Sequence, residues 1–320
     1  MEIKGKSVVV TGGAGFIGSH LVDALIKEKP ESISVLSNFF LGNKNNLKEA
    51  EKNFPDLRIV DIDITRYAEL KEFLQNSNTD IVFNLAVIPL PTSLEKPRWS
   101  FNKNIKMASN MCELLRKDMF STLVQFSSSE VYGTAVHIPM SEEHPLNPET
   151  PYGASKAATD LLAQSYHRTF NLDIAIPRPF NNYGPRQNME KYAGVIPLTI
   201  KRILNNENII IFGDGNQTRD FIYVEDTVNA VIKLAKSKVR GIPINISTGK
   251  EITINRIITE IAKNLNYTRQ FTYKEPRLGD VKRHLGDNSK LKKLLEFSPK
   301  ISIEDGIKKT TDWYKSNITP

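Results

Sequence analysis

The 320-residue sequence has very little cysteine, no long apolar run and no internal repeat. Its one cysteine, Cys112, excludes an intramolecular disulfide and a cysteine-based metal site. No apolar run approaches the roughly 18–20 residues that a membrane-spanning helix needs. The stretch at 8–10 is also too short for the apolar part of a signal peptide. We therefore expect a cytoplasmic protein with no metal site and no membrane contact.

Lysine and arginine outnumber aspartate and glutamate by 43 to 36, but they are spread along the chain. They form only short clusters, such as those at 290–293 and 308–309. A nucleic-acid-binding protein more often gathers its basic residues on one face or in a recognised motif. We therefore expect no nucleic-acid partner, and the net charge of +7 would instead favour a small anionic ligand.

Up to residue 178, short β-branched runs alternate with segments of helical period. Strands are predicted at 7–11, 33–36, 57–62, 81–85, 123–127 and 174–177, with helices at 18–27, 68–75, 104–116 and 152–170. Such alternation predicts a parallel sheet covered by helices on both faces. We predict a Rossmann-type, doubly wound α/β domain at 1–178. Residues 179–320 would mainly form a smaller C-terminal substrate-binding lid, while a helix and a strand near 220–245 return to the sheet.

Three glycines follow the first predicted strand at three-residue spacing, namely Gly12, Gly15 and Gly18. In a dinucleotide-binding loop the first allows a tight turn, and the second lets a pyrophosphate approach the backbone N–H groups. The third lets the helix pack closely on the strand. The position of these glycines between a strand and a helix predicts a dinucleotide site.

The end of the second strand departs from the usual NAD-binding pattern. An acid normally stands there to hold the adenosine ribose, but this sequence has Ser37 followed by Asn38. No arginine takes the place of the acid to bind a 2′-phosphate. We predict NAD, with Ser37 and Asn38 as ribose contacts, while the missing carboxylate leaves NADP open.

Tyr152 and Lys156 lie four residues apart and therefore share one face of a predicted helix. An ammonium group beside a phenol should lower the phenol pKa from its usual value of about 10. The phenolate could then take a proton from a sugar hydroxyl while hydride leaves the same carbon. A serine hydroxyl near that oxygen, such as that of Ser128, would position it.

Taken together, the motifs resemble those of the extended short-chain dehydrogenase/reductases, and more narrowly the nucleotide-sugar epimerase/dehydratase family. The resemblance extends over essentially the whole chain. It rests on the motifs at 11–18, 178–186 and 213–221, together with Ser128, Tyr152 and Lys156.

The resemblance implies a role for each matching residue. Tyr152 would be the base and acid at sugar O4, Lys156 would hold the nicotinamide ribose, and Ser128 would bond O4. Further cofactor contacts would come from Gly12, Gly15, Phe16, Ile17, Gly18, Asp63, Ile64, Leu85, Ala86, Asn104 and Pro179. The nucleotide sugar would contact Asn181, Val195, Phe212, Arg219, Arg277, Asp280 and His284, although His284 could equally be an ordinary packed histidine.

The resemblance also implies a homodimer formed through the helices at 104–116 and 152–170. Their apolar residues occupy more than one stripe, a pattern that includes Met107, Met111, Leu114, Leu115, Leu161 and Leu162.

Glu130 and Ser129 bear on which reaction follows the formation of a 4-keto sugar. A carboxylate beside C5 could remove the acidic proton and start a 4,6-dehydration. Glu130 is typical of the family's dehydratases and decarboxylases, whereas the motif at 213–221 has the form common among epimerases. We favour a nucleotide-sugar 4,6-dehydratase, with a 4-epimerase and then a UDP-glucuronate decarboxylase as alternatives. A non-catalytic NAD-binding regulator is disfavoured by the intact Tyr152 and Lys156.

Overall fold

A parallel seven-stranded sheet forms the centre of the protein, for which a computed structural model describes residues 2–189, 193–276 and 282–317. The strands are β1 (Ser7–Thr11), β2 (Ser32–Leu36), β3 (Arg58–Val60), β4 (Ile81–Asn84), β5 (Thr122–Gln125), β6 (Ile174–Pro179), β7 (Asn181–Tyr183), β8 (Ile210–Phe212), β9 (Thr218–Arg219), β10 (Phe221–Tyr223), β11 (Pro243–Ile246), β12 (Ile252–Thr253) and β13 (Thr272–Lys274). The helices are α1 (Phe16–Lys27), α2 (Lys48–Asn53), α3 (Tyr67–Gln75), α4 (Leu90–Glu95), α5 (Pro97–Arg116), α6 (Pro151–Phe170), α7 (Val195–Leu204), α8 (Val224–Lys236), α9 (Ile254–Asn264), α10 (Ser289–Leu295) and α11 (Ile303–Asn317).

The strand order in the main sheet is β11-β6-β5-β4-β1-β2-β3, and every neighbouring pair is parallel. The chain winds outward from β1 in one direction and from β4 in the other. The predicted Rossmann-type, doubly wound α/β class is therefore confirmed. The reversal of direction between β1 and β4 opens a crevice at the carboxyl ends of the strands, where such sheets bind their ligands.

Helices cover both faces of the sheet because side chains alternate along each strand. Val8 and Val10 of β1 join one buried cluster, which includes Leu21 of α1 and Val228 of α8. Val9 points to the opposite cluster, which contains residues of α3, α5 and α6. Two separate cores thus pack the sheet between two helical layers.

A smaller group of elements, defined here as the lid, packs beside the carboxyl ends of the strands. Its core joins α7, α9 and α11 through buried isoleucines and tyrosines. Three short strand pairs support it: β7 with β10, β8 with β13, and β9 with β12. α8 and β11 lie in the main sheet layers, although their residues follow much of the lid in the chain. The division at residue 178 stays a prediction.

The stripe of apolar residues used to predict a dimer is mostly part of the chain's own core. Met107, Met111, Leu114 and Leu115 are buried in the cluster against the sheet, so these four do not support a dimer interface. Leu161 of α6 is 52% exposed. In the part of the chain that the structure describes, no helix has both the length and the apolarity to cross a bilayer.

Candidate active site

A continuous cleft of about 1490 Å³ runs along the carboxyl ends of the central strands and under the lid. It brings together residues that are far apart in the sequence, as expected at the switch point of a doubly wound sheet. The predicted residues that line it are Gly12, Gly15, Phe16, Ile17, Gly18, Ser37, Asn38, Asp63, Ile64, Leu85, Ala86, Ser128, Ser129, Glu130, Tyr152, Lys156, Pro179, Asn181, Val195, Phe212 and Arg219.

The glycine loop leaves no room for side chains and so presents its backbone to the cleft. Gly12 has a φ of +65°, and a Cβ there would lie 2.9 Å from the nitrogen of Ala86. A Cβ at Gly18 would lie 2.3 Å from the carbonyl oxygen of Gly12, so only glycine permits this contact. Gly15 precedes the first turn of α1, whose N–H groups have no intrahelical acceptors. The cradle fits a dinucleotide pyrophosphate.

A buried chain of polar side chains ties the carboxyl ends of β1, β4 and β5 together. The Thr11 hydroxyl donates to Asn84 Oδ1 at 2.7 Å, and Asn84 Nδ2 donates to Gln125 Oε1 at 2.8 Å. The backbone N–H of Ala86 donates to the Thr11 hydroxyl at 3.1 Å. Sequence reasoning missed the roles of Thr11 and Gln125. Their position at the last residues of adjacent parallel strands was the available signal.

Asp63, which follows β3, lines the cleft with its charge already compensated. Its carboxylate accepts hydrogen bonds from the N–H and hydroxyl of Thr65 and from the Lys103 ammonium, the last at 3.1 Å. Partial burial alone would raise the pKa of Asp63, but these donors together hold that pKa below its usual range. Asp63 is therefore ionised at neutral pH, and Thr65 and Lys103 hold its carboxylate in place.

Tyr152 and Lys156 lie on the buried face of α6, but they do not influence each other as predicted. Burial raises the pKa of Tyr152 to about 12, even though a hydrogen bond with the Ser128 side chain lowers it. Burial also lowers the pKa of Lys156 to about 8. The prediction that Lys156 by its proximity lowers the pKa of Tyr152 is therefore wrong for the chain alone, because burial outweighs the other contributions.

One further turn along α6, Asp160 forms a buried network that sequence reasoning missed. Its Oδ2 accepts from Arg178 at 2.7 Å and from the Ser127 hydroxyl at 2.6 Å. The Arg178 guanidinium also donates to the Tyr132 hydroxyl at 2.6 Å. The spacing of Asp160 from Lys156, four residues on the same helical face, was a signal that could have found it.

Glu130 and Ser129 lie on a 3₁₀ turn beside Tyr152, and both line the cleft. The Glu130 side chain is half-buried, and its negative charge contributes to the raised pKa of Tyr152. Ser129 is almost fully buried, and its carbonyl oxygen lies 3.3 Å from His284 Nε2. Glu130 is thus the carboxylate that raises the pKa of Tyr152 most, followed by Asp160, and Ser129 stands beside it in the chain.

His284 is a packed histidine that supports the cleft from behind. It is 1% exposed, its ring lies 5.1 Å from that of Phe180, and its Nδ1 is 3.4 Å from Asn181 Nδ2. Burial lowers the pKa of His284 to about 4. These partners assign the proton to Nε2, which donates to Ser129, while Nδ1 accepts from Asn181. His284 therefore positions two cleft residues without lining the cleft itself.

Asn104 also lies behind the cleft rather than in it. Its Oδ1 accepts from the Ile88 N–H at 2.7 Å, and its Nδ2 donates to the Ser155 hydroxyl at 2.9 Å. It thereby joins α5 to α6 and to the segment after β4. Arg277 and Asp280 lie outside the described residues. The cleft also contains basic residues to which no role was given, namely Lys44, Arg186 and Arg202.

Comparison with known proteins agrees with this geometry. The NAD dependent epimerase/dehydratase family matches residues 8–247. A UDP-glucose 4-epimerase of Mycolicibacterium smegmatis is 33% identical over 96% of this chain and 98% of its own length. The solved UDP-N-acetylglucosamine 4-epimerase from Methanobrevibacter ruminantium M1, in complex with UDP-N-acetylmuramic acid, is 36% identical. Its TM-score is 0.92, with 98% of this chain and 100% of that chain covered.

Dehydratases are similar to the chain as well. The dTDP-glucose 4,6-dehydratase DesIV from Streptomyces venezuelae, solved with NAD and TYD bound, is 30% identical with a TM-score of 0.91, and 97% of each chain is covered. The class is therefore that of Rossmann-type enzymes acting on nucleotide sugars. The chain belongs to the NAD-dependent epimerase/dehydratase family, as the sequence motifs predicted. The predicted cofactor NAD is confirmed at the level of this family.

Proposed function

We propose that the protein is a nucleotide-sugar 4-epimerase, which inverts C4 of a sugar attached to a nucleoside diphosphate. The observation that carries the proposal is the placement of Tyr152, Lys156 and Ser128 in the cleft that also contains the glycine loop. NAD, when bound, supplies the hydride acceptor for C4 and a positive charge that favours the phenolate. A UDP-linked hexose is the proposed substrate class, because relatives that cover nearly the whole chain are named for UDP-sugars.

The chain's own residues handle the proton of the sugar hydroxyl in this proposal. Tyr152 takes the proton from O4 and later returns it, and Ser128 holds the same oxygen in line. The pKa of Tyr152, about 12 in the chain alone, keeps the proton on the phenol until substrate and cofactor assemble. Lys156 Nζ donates to the Phe126 carbonyl at 2.7 Å, which leaves its other N–H groups for ribose hydroxyls.

The carboxylates of the cleft favour epimerisation over the dehydration that the sequence alone led us to prefer. Removing a C5 proton and expelling water from C6 is best served by a base and a separate acid. Among the described lining residues, the carboxylates are Glu130 and Asp63, and Asp63, which follows β3, is held by Thr65 and Lys103. Beside Glu130 stands Ser129, whose hydroxyl is a weak acid. Epimerisation needs no such second group.

A 4,6-dehydratase is the second candidate, and the position of Glu130 is the observation that favours it. Its carboxylate lines the cleft and is close enough to Tyr152 to raise the phenol pKa. A base at this place could remove an α-proton from a 4-keto sugar. Decarboxylation of a uronic acid is a third possibility that the same experiment separates.

Product analysis tests the proposal directly. The purified protein is incubated separately with UDP-glucose, UDP-N-acetylglucosamine, UDP-glucuronate, dTDP-glucose and GDP-mannose, and each product is examined by mass spectrometry and NMR. We expect an unchanged mass with inverted configuration at C4 for a UDP-hexose. Loss of water would instead support the dehydratase, and loss of carbon dioxide the decarboxylase. No product from any sugar would favour the non-catalytic regulator.

Two further features of the protein remain proposals. We propose a homodimer, which now rests on the family resemblance and on exposed apolar side chains such as Leu161 of α6 and Trp99 of α5. Light scattering at micromolar concentration should give twice the chain mass, and a monomer mass would contradict this. A cytoplasmic location is also proposed, and fractionation of the source cells would test it.

A further inference from the structure

Ser37 occupies the place where an NAD-specific Rossmann protein has an acid. It follows the last residue of β2, lines the cleft, and is fixed by a 3.1 Å hydrogen bond from its N–H to the Val60 carbonyl. Its hydroxyl oxygen accepts from the Phe39 N–H at 3.1 Å, which leaves the hydroxyl hydrogen to donate. An ionised aspartate can only accept hydrogen bonds and repels a phosphate, whereas an uncharged serine can donate to one.

Two neighbouring side chains also present donors at this corner of the cleft. Asn38 also lines the cleft, and its Oδ1 accepts from the Phe40 N–H at 3.1 Å, which leaves the N–H groups of its Nδ2 to donate. Lys44 brings an ammonium group to the same cleft. We define the ribose corner as Ser37, Asn38 and Lys44.

The segment that carries Lys44 is anchored close to Ser37. The Asn43 N–H and the Asn46 side-chain amide both donate to the Ala14 carbonyl at 3.0 Å, which attaches the segment to the glycine loop. A Cβ at Gly42 would lie 3.0 Å from the Ser37 hydroxyl oxygen. Gly42 therefore lies directly beside Ser37, and Lys44 follows Gly42 by two residues in the chain.

No uncompensated carboxylate opposes an anion at this end of the described cleft. Of the two carboxylates among the described lining residues, Asp63 follows β3, the strand beside β2, and it is paired with Lys103 at 3.1 Å and hydrogen-bonded to Thr65. Lys44 adds a positive charge. The electrostatic repulsion that normally excludes a 2′-phosphate is therefore missing, and an attraction replaces it.

We propose that the ribose corner accepts a 2′-phosphate as well as a 2′-hydroxyl, so that the protein binds NADP as well as NAD. In NADP binding, Ser37 and Asn38 donate hydrogen bonds to the phosphate oxygens and Lys44 neutralises their charge. The inference concerns the cofactor cleft and holds whether the sugar is epimerised or dehydrated. A failure of the proposed epimerase activity would leave it standing.

Binding competition tests the proposal without using catalysis. The purified protein is incubated with equal concentrations of NAD and NADP, freed of unbound nucleotide and denatured, and each released dinucleotide is quantified by mass spectrometry. Dinucleotide captured during expression is measured in the same way, which covers the case of slow exchange. The two bound amounts should lie within about tenfold of each other, since no charge repulsion separates them.

Three variants complete the test: two change the ribose corner, and the third is a matched control. Ser37→Asp restores the acid and should shift binding towards NAD by on the order of 100-fold. Lys44→Gln should lower the NADP share of the bound dinucleotide several-fold. Lys48→Gln, an exposed neighbour of like charge that does not line the cleft, should match the unmodified protein.

Two results would contradict the proposal or the role that it gives to Lys44. Unmodified protein that carries NAD alone in both measurements would overturn the proposal. Equal NADP shares in Lys44→Gln and Lys48→Gln would overturn the role given to Lys44. If Ser37→Asp does not fold, the two lysine variants decide the question, because both residues are exposed.

Discussion

The Lys156 ammonium donates a 2.7 Å hydrogen bond to the carbonyl oxygen of Phe126. This contact fastens α6, which carries Tyr152, to the segment after β5, which carries Ser128. Asp160, one turn further along the helix, holds Ser127 in the same segment at 2.6 Å. The two groups proposed to share the sugar oxygen are therefore positioned by buried bonds between one helix and one strand end.

Tyr152→Phe should reduce turnover sharply while leaving the binding of nucleotide sugar nearly intact. The change keeps the buried ring and removes only the hydroxyl that handles the proton, a contribution of about 10²–10⁴-fold for general acid–base catalysis. Steady-state kinetics and titration calorimetry would measure the two effects. Tyr166→Phe, on the same helix but outside the cleft lining, is the matched control and should behave normally. Near-normal turnover of Tyr152→Phe would show that another group is the base.

Glu130→Gln should separate the two candidate reactions, because it removes a charge at almost constant volume. For a 4-epimerase, we expect turnover within a few-fold of the unmodified protein and no exchange of the C5 proton with deuterated water. For a dehydratase, product formation and C5 exchange should both fall by roughly 10²-fold, the scale for losing a positioned base. NMR of the recovered sugar reads both quantities, and the second pattern would refute the epimerase proposal.

Asp160→Asn should destabilise the protein strongly. The change removes the charge partner of Arg178, whose side chain is 2% exposed, and such a loss costs about 3–5 kcal/mol in a buried pair. Urea unfolding would measure it. Glu113→Gln, which breaks a pair with Arg116 at the surface, is the control and should have a much smaller effect. Equal losses in the two variants would mean that the Asp160 network adds little to stability.

The free energy of unfolding should fall as the pH drops below about 6.5, the ordinary pKa of histidine, because His284 is buried in its neutral form. Burial lowers the pKa of His284 to about 4, so between that value and about 6.5 the unfolded chain binds the extra proton. His20, whose pKa burial likewise lowers to about 4, acts in the same direction. Burial raises the pKa of Asp220 to about 6, which partly offsets the loss, since there the folded chain binds the proton.

Unfolding midpoints measured at about pH 7.5 and about pH 5 check this sign. His284→Gln, which cannot titrate, should lose less stability than the unmodified protein over the same interval. An identical pH dependence in the two proteins would show that His284 does not contribute.

Local spacing was enough to predict the sheet, the glycine loop and the helix that carries Tyr152 and Lys156. These predictions rest on the apolar run at 7–11, the spacing of the three glycines and the alternation of strand and helix patterns at 81–170. All three are patterns among residues close together in the sequence, so they can be recognised before the fold is known. The predicted helix near 104–116 begins earlier in the structure, at Pro97. Proline at a first helical turn is a start signal that the periodicity alone did not include.

Other features of the structure depend on contacts between residues that are distant in the sequence, and residue spacing does not show these. Helix α11 was not predicted, and its Gly306 is packed so closely on Tyr183 that a Cβ would meet the phenol oxygen. A strand near 220–245 was predicted to return to the sheet, but its place at the edge of the sheet is set by the parallel pairing of β11 with β6. The pKa values of Tyr152 and Lys156 depend on burial by the whole fold. Neither close packing nor burial can be read from residue spacing, since both arise only when segments far apart in the chain exclude water from the same place.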